Sequence, residues 1–507
     1  MTNYTKRHDI EKERIVRQGN SSTKERYLPR FTMPSYMMLL YVVVLVLPSV
    51  VEMKYLGPKL SRLVMNNQTG IVYVGGKNRL YQLDEDLKLM AEESTGPRSD
   101  SNKCYPCPHH NSQSGDPELA KLCSCLYDRT ATDNFNKVLL VDPGRGILIA
   151  CGSVYQGMCQ ARDLSTMAVL DSGLSTLEKK DIKNVAVVAN DQTSSSEAFI
   201  APGPGPNTVL HVASTYSGKS VESEVYREQV PALATRSLSY NKRFALDKVI
   251  DDVSDQKLSA IFLKSDQIKH YLIRYVTGFT SDNYNYFLTV QRDRVSQLQH
   301  GKLVTKIIQF CSDDMFYDSY ADIPLKCTKR SSHGHEVDFN VLQAARVIRP
   351  GQDLVEDLFT EGYPGDVLVG AFTSEADAGR GGHSQPDSAV CVFTMADIRR
   401  KFLETIKLCH MGNSSVSGGG YLRANGCSQK VKVCGDSRRP MAVMFDQSPV
   451  SEPGVRAFRE MVWSGQSRAY VNHNRFTRRV LGRELSLNNR GYKQLEERFE
   501  QGGSANH

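Results

Sequence analysis

Two stretches of this sequence gather residue types that can do chemistry. Cys104-Tyr-Pro-Cys107-Pro-His109-His110, with Cys123-Ser-Cys125 shortly after, offers four thiols and two imidazoles, a donor set suited to tetrahedral zinc. Residues 150–160, ACGSVYQGMCQ, place Cys151 and Cys159 eight positions apart. That spacing suits a covalent clip across a hairpin, half of a metal site, or a reactive pair. Other candidates carry less. Ser331-Ser-His-Gly-His-Glu336 lacks the i, i+4 histidines of a helical zinc protease, and its glycine disfavours the helix. Asp313-Asp314 has no general-acid partner, and an acidic turn after Cys311 accounts for it. Ala201–Pro206 and Gly418–Gly420 lack the strand-to-helix setting of a phosphate loop. No nucleophile, base and orienting acid come together, so the expectation is a protein that is not an enzyme and takes no cofactor or small-molecule substrate.

The compartment decides among the cysteine readings. Met37–Val51 is an apolar run interrupted by Pro48 and preceded by eight Lys and Arg residues. It is too short to span a bilayer comfortably and fits a secretory signal with a long basic n-region, residues 1–52. An uncleaved signal anchor is the competing reading. Both put everything after residue 52 outside the cytosol, at the cell surface or beyond it. Twelve cysteines, all between Cys104 and Cys434, then read as a disulfide framework with Cys151 joined to Cys159. Oxidation of the thiols disfavours the zinc reading of Cys104, Cys107, Cys123 and Cys125, and redox catalysis by the CxxC lacks its βαβ setting. The net charge of +7 comes from the two ends. Residues 1–33 carry eight basic and four acidic groups and residues 435–507 twelve and eight, which leaves the body at −1 and shows no face for nucleic acid.

The elements that position these residues are strands. Gly70–Gly75, a Gly-Lys-Asn turn and Arg79–Leu83 form a hairpin, and the same grammar returns at Ile147–Cys151 with Met158–Arg162 and at Asp366–Phe372 with Ala389–Thr394. Further strands are expected at residues 138–141, 185–189, 209–213, 260–263, 271–276, 284–290 and 303–310. Short apolar strands punctuated by Gly, Asn, Asp and Pro argue for an all-β fold, and their recurrence for propeller blades. Residues 338–360 and 396–410 show helical spacing and read as helical insertions. Residues 435–507 lose cysteine and most strand signals and read as a divergent basic tail.

Asn67–Leu83, Thr95-Gly-Pro97, Lys103–Pro106, Asn136–Val141, Ala150–Gln160, Lys306–Cys311, Ile323–Cys327, Ser388–Thr394 and Cys427–Cys434 resemble, in order, blocks of the plexin sema domain. The likeness covers residues 58–434. It implies a seven-bladed β-propeller, residues 53–434, whose last two blades are not recognisable past Cys434. By the plexin pattern Cys151 joins Cys159, Cys311 joins Cys434, Cys327 joins Cys391 and Cys409 joins Cys427. Cys104, Cys107, Cys123 and Cys125 depart from the family's usual pair, and two bridges are expected there, with Cys104 to Cys125 the favoured partners. The resemblance implies a cell-surface receptor domain that binds a semaphorin, with receptor homo- or hetero-association, in signalling of the axon-guidance kind. A secreted semaphorin-type ligand or decoy is the alternative. Polar loops around Asn184–Tyr226 are the expected docking region. Asn67 and Asn413 head glycosylation sequons.

Overall fold

The computed structural model describes residues 56, 59–105, 124–125, 127–171, 182–203, 207–215, 231–250, 256–263, 273–292, 302–330, 336–358, 365–374 and 388–410. All belong to the compact unit that begins at Leu56. Among the described residues, five antiparallel sheets of three or four strands follow one another along the chain, accompanied by three two-stranded ribbons. The first holds Leu60–Met65, Val72–Gly76, Arg79–Leu83 and Leu89–Ser94. The second holds Asn136–Asp142, Ile147–Gly152, Cys159–Asp163 and Val169–Asp171. The third is Ser196–Pro202, Thr208–Ser214, Leu233–Ser237 and Ala260–Ile261. The fourth is Arg274–Ser281, Tyr284–Arg292, Leu303–Cys311 and Ala321–Pro324. The fifth shows three strands, Val341–Ile348, Val367–Thr373 and Ser388–Thr394.

The apolar runs are explained by what the sheets bury. A strand with one face in water alternates, whereas a strand covered on both faces reads apolar throughout. In Tyr284–Arg292, Phe287 faces the third sheet beside Phe199 and Phe310, while Tyr286 and Leu288 face the fifth beside Leu342 and Phe372. Leu148 packs toward Tyr73 and Leu80 of the first sheet, and its neighbours Ile147 and Ile149 toward Ala198, Leu210 and Val212 of the third. The second, third and fourth sheets are therefore each stacked face to face between two neighbours, and the core lies in the gaps between sheets. The first strand of each sheet also approaches the first strand of the next. This is blade packing, and the fold is an all-β propeller as expected. The described residues supply five blades; the remainder of the expected seven, the strands proposed at 441–445 and 469–471, and the 435–507 tail lie outside them.

The fifth sheet corrects one expectation. Residues 341–348 are a strand in register with Val367–Thr373, where helical spacing had suggested a helix. Helix-forming Ala, Gln and Arg are overridden by the tertiary pairing that Val341, Val347 and Ile348 favour. Among the described residues of that stretch only Gln352–Leu358 is helical. The second helix, Met395–His410, is present, and the Thr394 hydroxyl caps it by accepting from the Asp397 amide at 2.9 Å. Its Ile398, Phe402 and Ile406, four residues apart, lie against Tyr286 and Ile323 of the fourth sheet. A second correction falls at 185–189. These residues are no strand: one helical turn, Ile182–Val185, leads into irregular buried chain.

Phe287 is fully buried between two sheets. Phe287→Ala is expected to lower unfolding free energy by about 3–5 kcal/mol, measured by denaturant titration of the oxidised protein.

Candidate functional site: a clipped hub on the strand-start face

The first strands all run the same way, because their starts are bonded start to start. Ser61 Oγ donates to Asn136 O at 2.8 Å, joining sheets one and two. Lys137 Nζ donates to Gln192 O and Ser194 O at 3.0 and 2.7 Å, at the approach to sheet three. Ser195 Oγ donates to Ile273 O at 3.1 Å and accepts from the Tyr275 amide at 2.9 Å, joining three to four. Thr305 Oγ1 donates to Asn340 O and accepts from the Leu342 amide at 2.8 and 3.1 Å, joining four to five, where Arg274 also donates to Leu342 O. Opposite this start face, Arg145 in the first hairpin of sheet two donates to Thr208 Oγ1 beside the first hairpin of sheet three at 2.7 Å. The two faces thus differ: the first hairpins of sheets two and three lie on one, and the connections between sheets lie on the other.

The clip sits on the connection side. Cys151 and Cys159 are directly opposed on neighbouring strands with Cα atoms 4.0 Å apart, and their sulfurs are bonded. Between them Tyr155, Gln156 and Gly157 are all left-handed, at φ 54°, 61° and 80°. A non-glycine residue in that region costs about 1–2 kcal/mol, so the two side-chain-bearing residues store a few kcal/mol together. A bridge closing a loop this short contributes about 2.5 kcal/mol, comparable to the strain it holds. The remainder comes from bonds that the loop makes to two other connections. The Tyr155 amide donates to the Asp100 carboxylate at 2.7 Å, and Gln156 Nε2 to Asn102 O and Cys104 O at 2.8 and 3.0 Å. Asn190 Nδ2 donates to Gln156 Oε1 at 2.7 Å, while Val187 and Val188 amides both donate to Gly157 O. A Cβ on residue 157 would stand 1.8 Å from Val188 O, so only glycine fits. One clipped loop therefore fixes the connections from sheet one to two and from sheet two to three.

The other cysteines are placed as follows. Cys104 is bonded to Cys125 and Cys327 to Cys391, with Cα separations of 5.7 and 5.9 Å. Cys311 is disulfide-bonded; Cys434, its expected partner, lies outside the described residues, as do Cys107, Cys123 and Cys427, and the Cys409 side chain. Among the described residues no cysteine is free and no group of three or more His, Cys, Asp or Glu could hold a metal. The zinc arrangement is left with two of its sulfurs, Cys104 and Cys125, already spent on each other. Asp314 is buried, with its carboxylate accepting from the amides of Phe316 and Ser319, which makes it a turn residue.

The expected docking stretch around 184–226 is largely core where described. Residues 184–189 are buried, held by Arg236, whose fully buried guanidinium donates to the carbonyls of Lys183, Asn184, Ala186 and Phe244 at 2.7–3.4 Å. Ser196–Pro202 and Thr208–Ser214 are strands of sheet three, leaving Asn190–Thr193 as the polar turn facing outward, and residues 216–226 lie outside the described set. Asn67 is exposed in the turn after the first strand; Asn413 lies outside the described residues. Sequence reasoning missed Lys137, Gln156 and Arg236, because a buried polar side chain that serves distant backbone carbonyls carries no local pattern.

Burial also sets two ionisations. His211 lies between the Phe199 and Phe310 rings, with Nε2 accepting from Asn285 Nδ2 at 3.1 Å and Nδ1 facing Thr235 Oγ1 at 3.2 Å; burial lowers its pKa to about 3. It stays neutral, and the stability it lends is lost as pH falls below about 6.5, where the unfolded imidazole takes up its proton. Burial likewise lowers the Lys137 ammonium to about 8, against the pull of Asp191.

Residues 342–438 match the Sema domain family. Plexin-A2 of Mus musculus is 29% identical over 364 residues, which cover 70% of this chain and 18% of that protein. Plexin A3 of Danio rerio is 31% identical over 378 residues, 71% of this chain and 18% of that protein. The solved full extracellular region of plexin A4 superposes with a TM-score of 0.56 at 26% identity, over 73% of this chain and 37% of that one. The chain thus spans about 18% of the length of these relatives. The stacked meanders define a sema-type β-propeller. Within that class the chain belongs with the plexin sema domains.

Two outcomes follow for the hub and the seam. Replacing Cys151 and Cys159 by serine is expected to cost about 2.5 kcal/mol and to speed hydrogen exchange at the Val187 and Val188 amides before that of the strands. For Lys137, the unfolded chain holds more protons than the folded one between pH about 8 and the ordinary lysine value of about 10.4, so stability rises with pH across that window. Lys137→Met should abolish that rise, read as the difference between parent and variant in denaturation midpoint against pH.

Proposed function

We propose that this chain is the ligand-binding extracellular domain of a plexin-like receptor and that it docks a semaphorin through its propeller. The observation that carries the reading is the superposition on the plexin A4 extracellular region across 73% of the chain, at 26% identity. The disulfide-bonded cysteines agree with an oxidising, extracellular setting. Among the described residues no helix is long and apolar enough to cross a membrane. Docking surfaces on such a body come from loops held at fixed positions by a rigid scaffold, and the clipped hub supplies that rigidity at two successive connections.

The test is binding of the full chain, recovered from secretory expression, to a panel of immobilised semaphorins and a parallel panel of plexins. Saturable binding to at least one semaphorin is expected. Binding to plexins alone would replace this reading with that of a semaphorin-type ligand.

A further inference from the structure

A small pocket opens beside the clip, where the chain leaving sheet one meets the start of sheet two. It measures about 450 Å³ to its open mouth, the low end of the range that binding pockets occupy. Thr95 and Arg98 line it from the first connection, Asn134 and Asn136 from the start of sheet two, and Tyr155 and Gln160 from the clipped hairpin. Its hydrogen-bonding groups are unequally used. The acceptors are taken: Thr95 O receives Asn134 Nδ2 and Arg98 Nε at 3.0 and 3.3 Å, Cys151 O receives Asn136 Nδ2 at 3.4 Å, and Gln160 Oε1 receives Arg162 Nη2 at 2.8 Å. The Asn136 amide oxygen is fully buried against Gly75, where a Cβ would stand 2.4 Å from it, and so offers the pocket nothing.

Donors remain. Arg98 is pinned at the mouth by Nε on Thr95 O and Nη2 on Ser94 O at 3.1 Å, which leaves Nη1 unbonded among the described residues. Gln160 keeps its Nε2 and Tyr155 its hydroxyl for the pocket in the same way. The half-buried Tyr155 hydroxyl stays protonated, because burial and then the Asp100 charge push its pKa up. The Asp100 carboxylate is itself held by the Tyr155 amide. Arg98 and Arg129 act on Tyr155, and Arg98 on Arg162, against Asp100 and Glu93, so three cations stand near two carboxylates and the field is positive. Spare donors, spent acceptors and a positive field make an anion site, and a planar carboxylate matches an arginine fork that is already fixed. We propose that this pocket receives the carboxylate of one Asp or Glu side chain of the docked protein, with Arg98, Tyr155 and Gln160 as its donors. The inference rests on the reading of this chain as a semaphorin-docking domain and supplies the chemistry of one contact.

The test is saturation-transfer NMR on the full oxidised chain with N-acetylglutamate, and with neutral N-acetylglutamine as control. A signal is expected from the first and none from the second, and it should be lost in Arg98→Gln and reduced in Tyr155→Phe. Arg98 is exposed and the Tyr155 hydroxyl is unbonded, so thermal midpoints of both variants should match the parent. Against a semaphorin that binds the parent, Arg98→Gln should weaken affinity at least about fivefold and flatten its fall with added salt. No signal from N-acetylglutamate in the parent overturns the proposal, and so does a signal, or a semaphorin affinity, that neither variant changes. N-acetylglutamate bound through Arg98 and Tyr155, with no semaphorin bound by the parent, supports the pocket while it removes the semaphorin reading.

Discussion

Stacking sheets face to face solves the burial of apolar side chains but creates a backbone problem at the start of every first strand. The outer edge of that strand has no neighbour in its own sheet, and its amides and carbonyls meet the next sheet instead. Each such group left unpaired in a dry setting costs about 1–3 kcal/mol. In this chain side chains meet the demand, seam by seam: the Ser195 hydroxyl takes the Tyr275 amide, the Thr305 hydroxyl the Leu342 amide, and Thr215 Oγ1 the Ile273 amide at 3.2 Å. Lys137 and Arg274 answer carbonyls in the same way. The apolar gaps set how strongly the sheets adhere; the polar seams set their order and register.

The hub around Gly157 extends the same logic to the connections. Three left-handed residues turn the chain so that one carbonyl, that of Gly157, receives two amides from the Val187–Val188 segment, while Gln156 reaches the opposite connection. Arg236 then holds the other end of that segment by its carbonyls. A surface built on such connections keeps its shape without a partner, and a rigid docking protein gains from that because less ordering entropy is lost on binding.

Much of this was legible beforehand. The hairpin at 72–83, the run at 147–152 and the long strands at 284–292 and 303–311 announce themselves because Val, Ile, Leu and Tyr crowd strands covered on both faces. Cys151 opposite Cys159 was readable from two cysteines bracketing glycines in an oxidising setting. The outer strands Leu89–Ser94 and Val169–Asp171 were not, since they are short, half in water and of mixed polarity. Residues 341–348 misled because their composition suits a helix and only the partner strand, twenty residues on, decides otherwise. The buried stretch 184–189 read as a strand over 185–189 because its Val and Ala run suits one, whereas the buried Arg236 that takes up its carbonyls lies some fifty residues away.

Hydrogen exchange at the Ile273, Tyr275 and Leu342 amides of the intact oxidised chain measures the seams most directly. If side chains of the preceding sheet hold these amides, they exchange as slowly as the central amides of Tyr284–Arg292. Exchange at the rate of exposed turns, with the strands themselves still protected, would show that the sheets stack without their seams and would contradict the account.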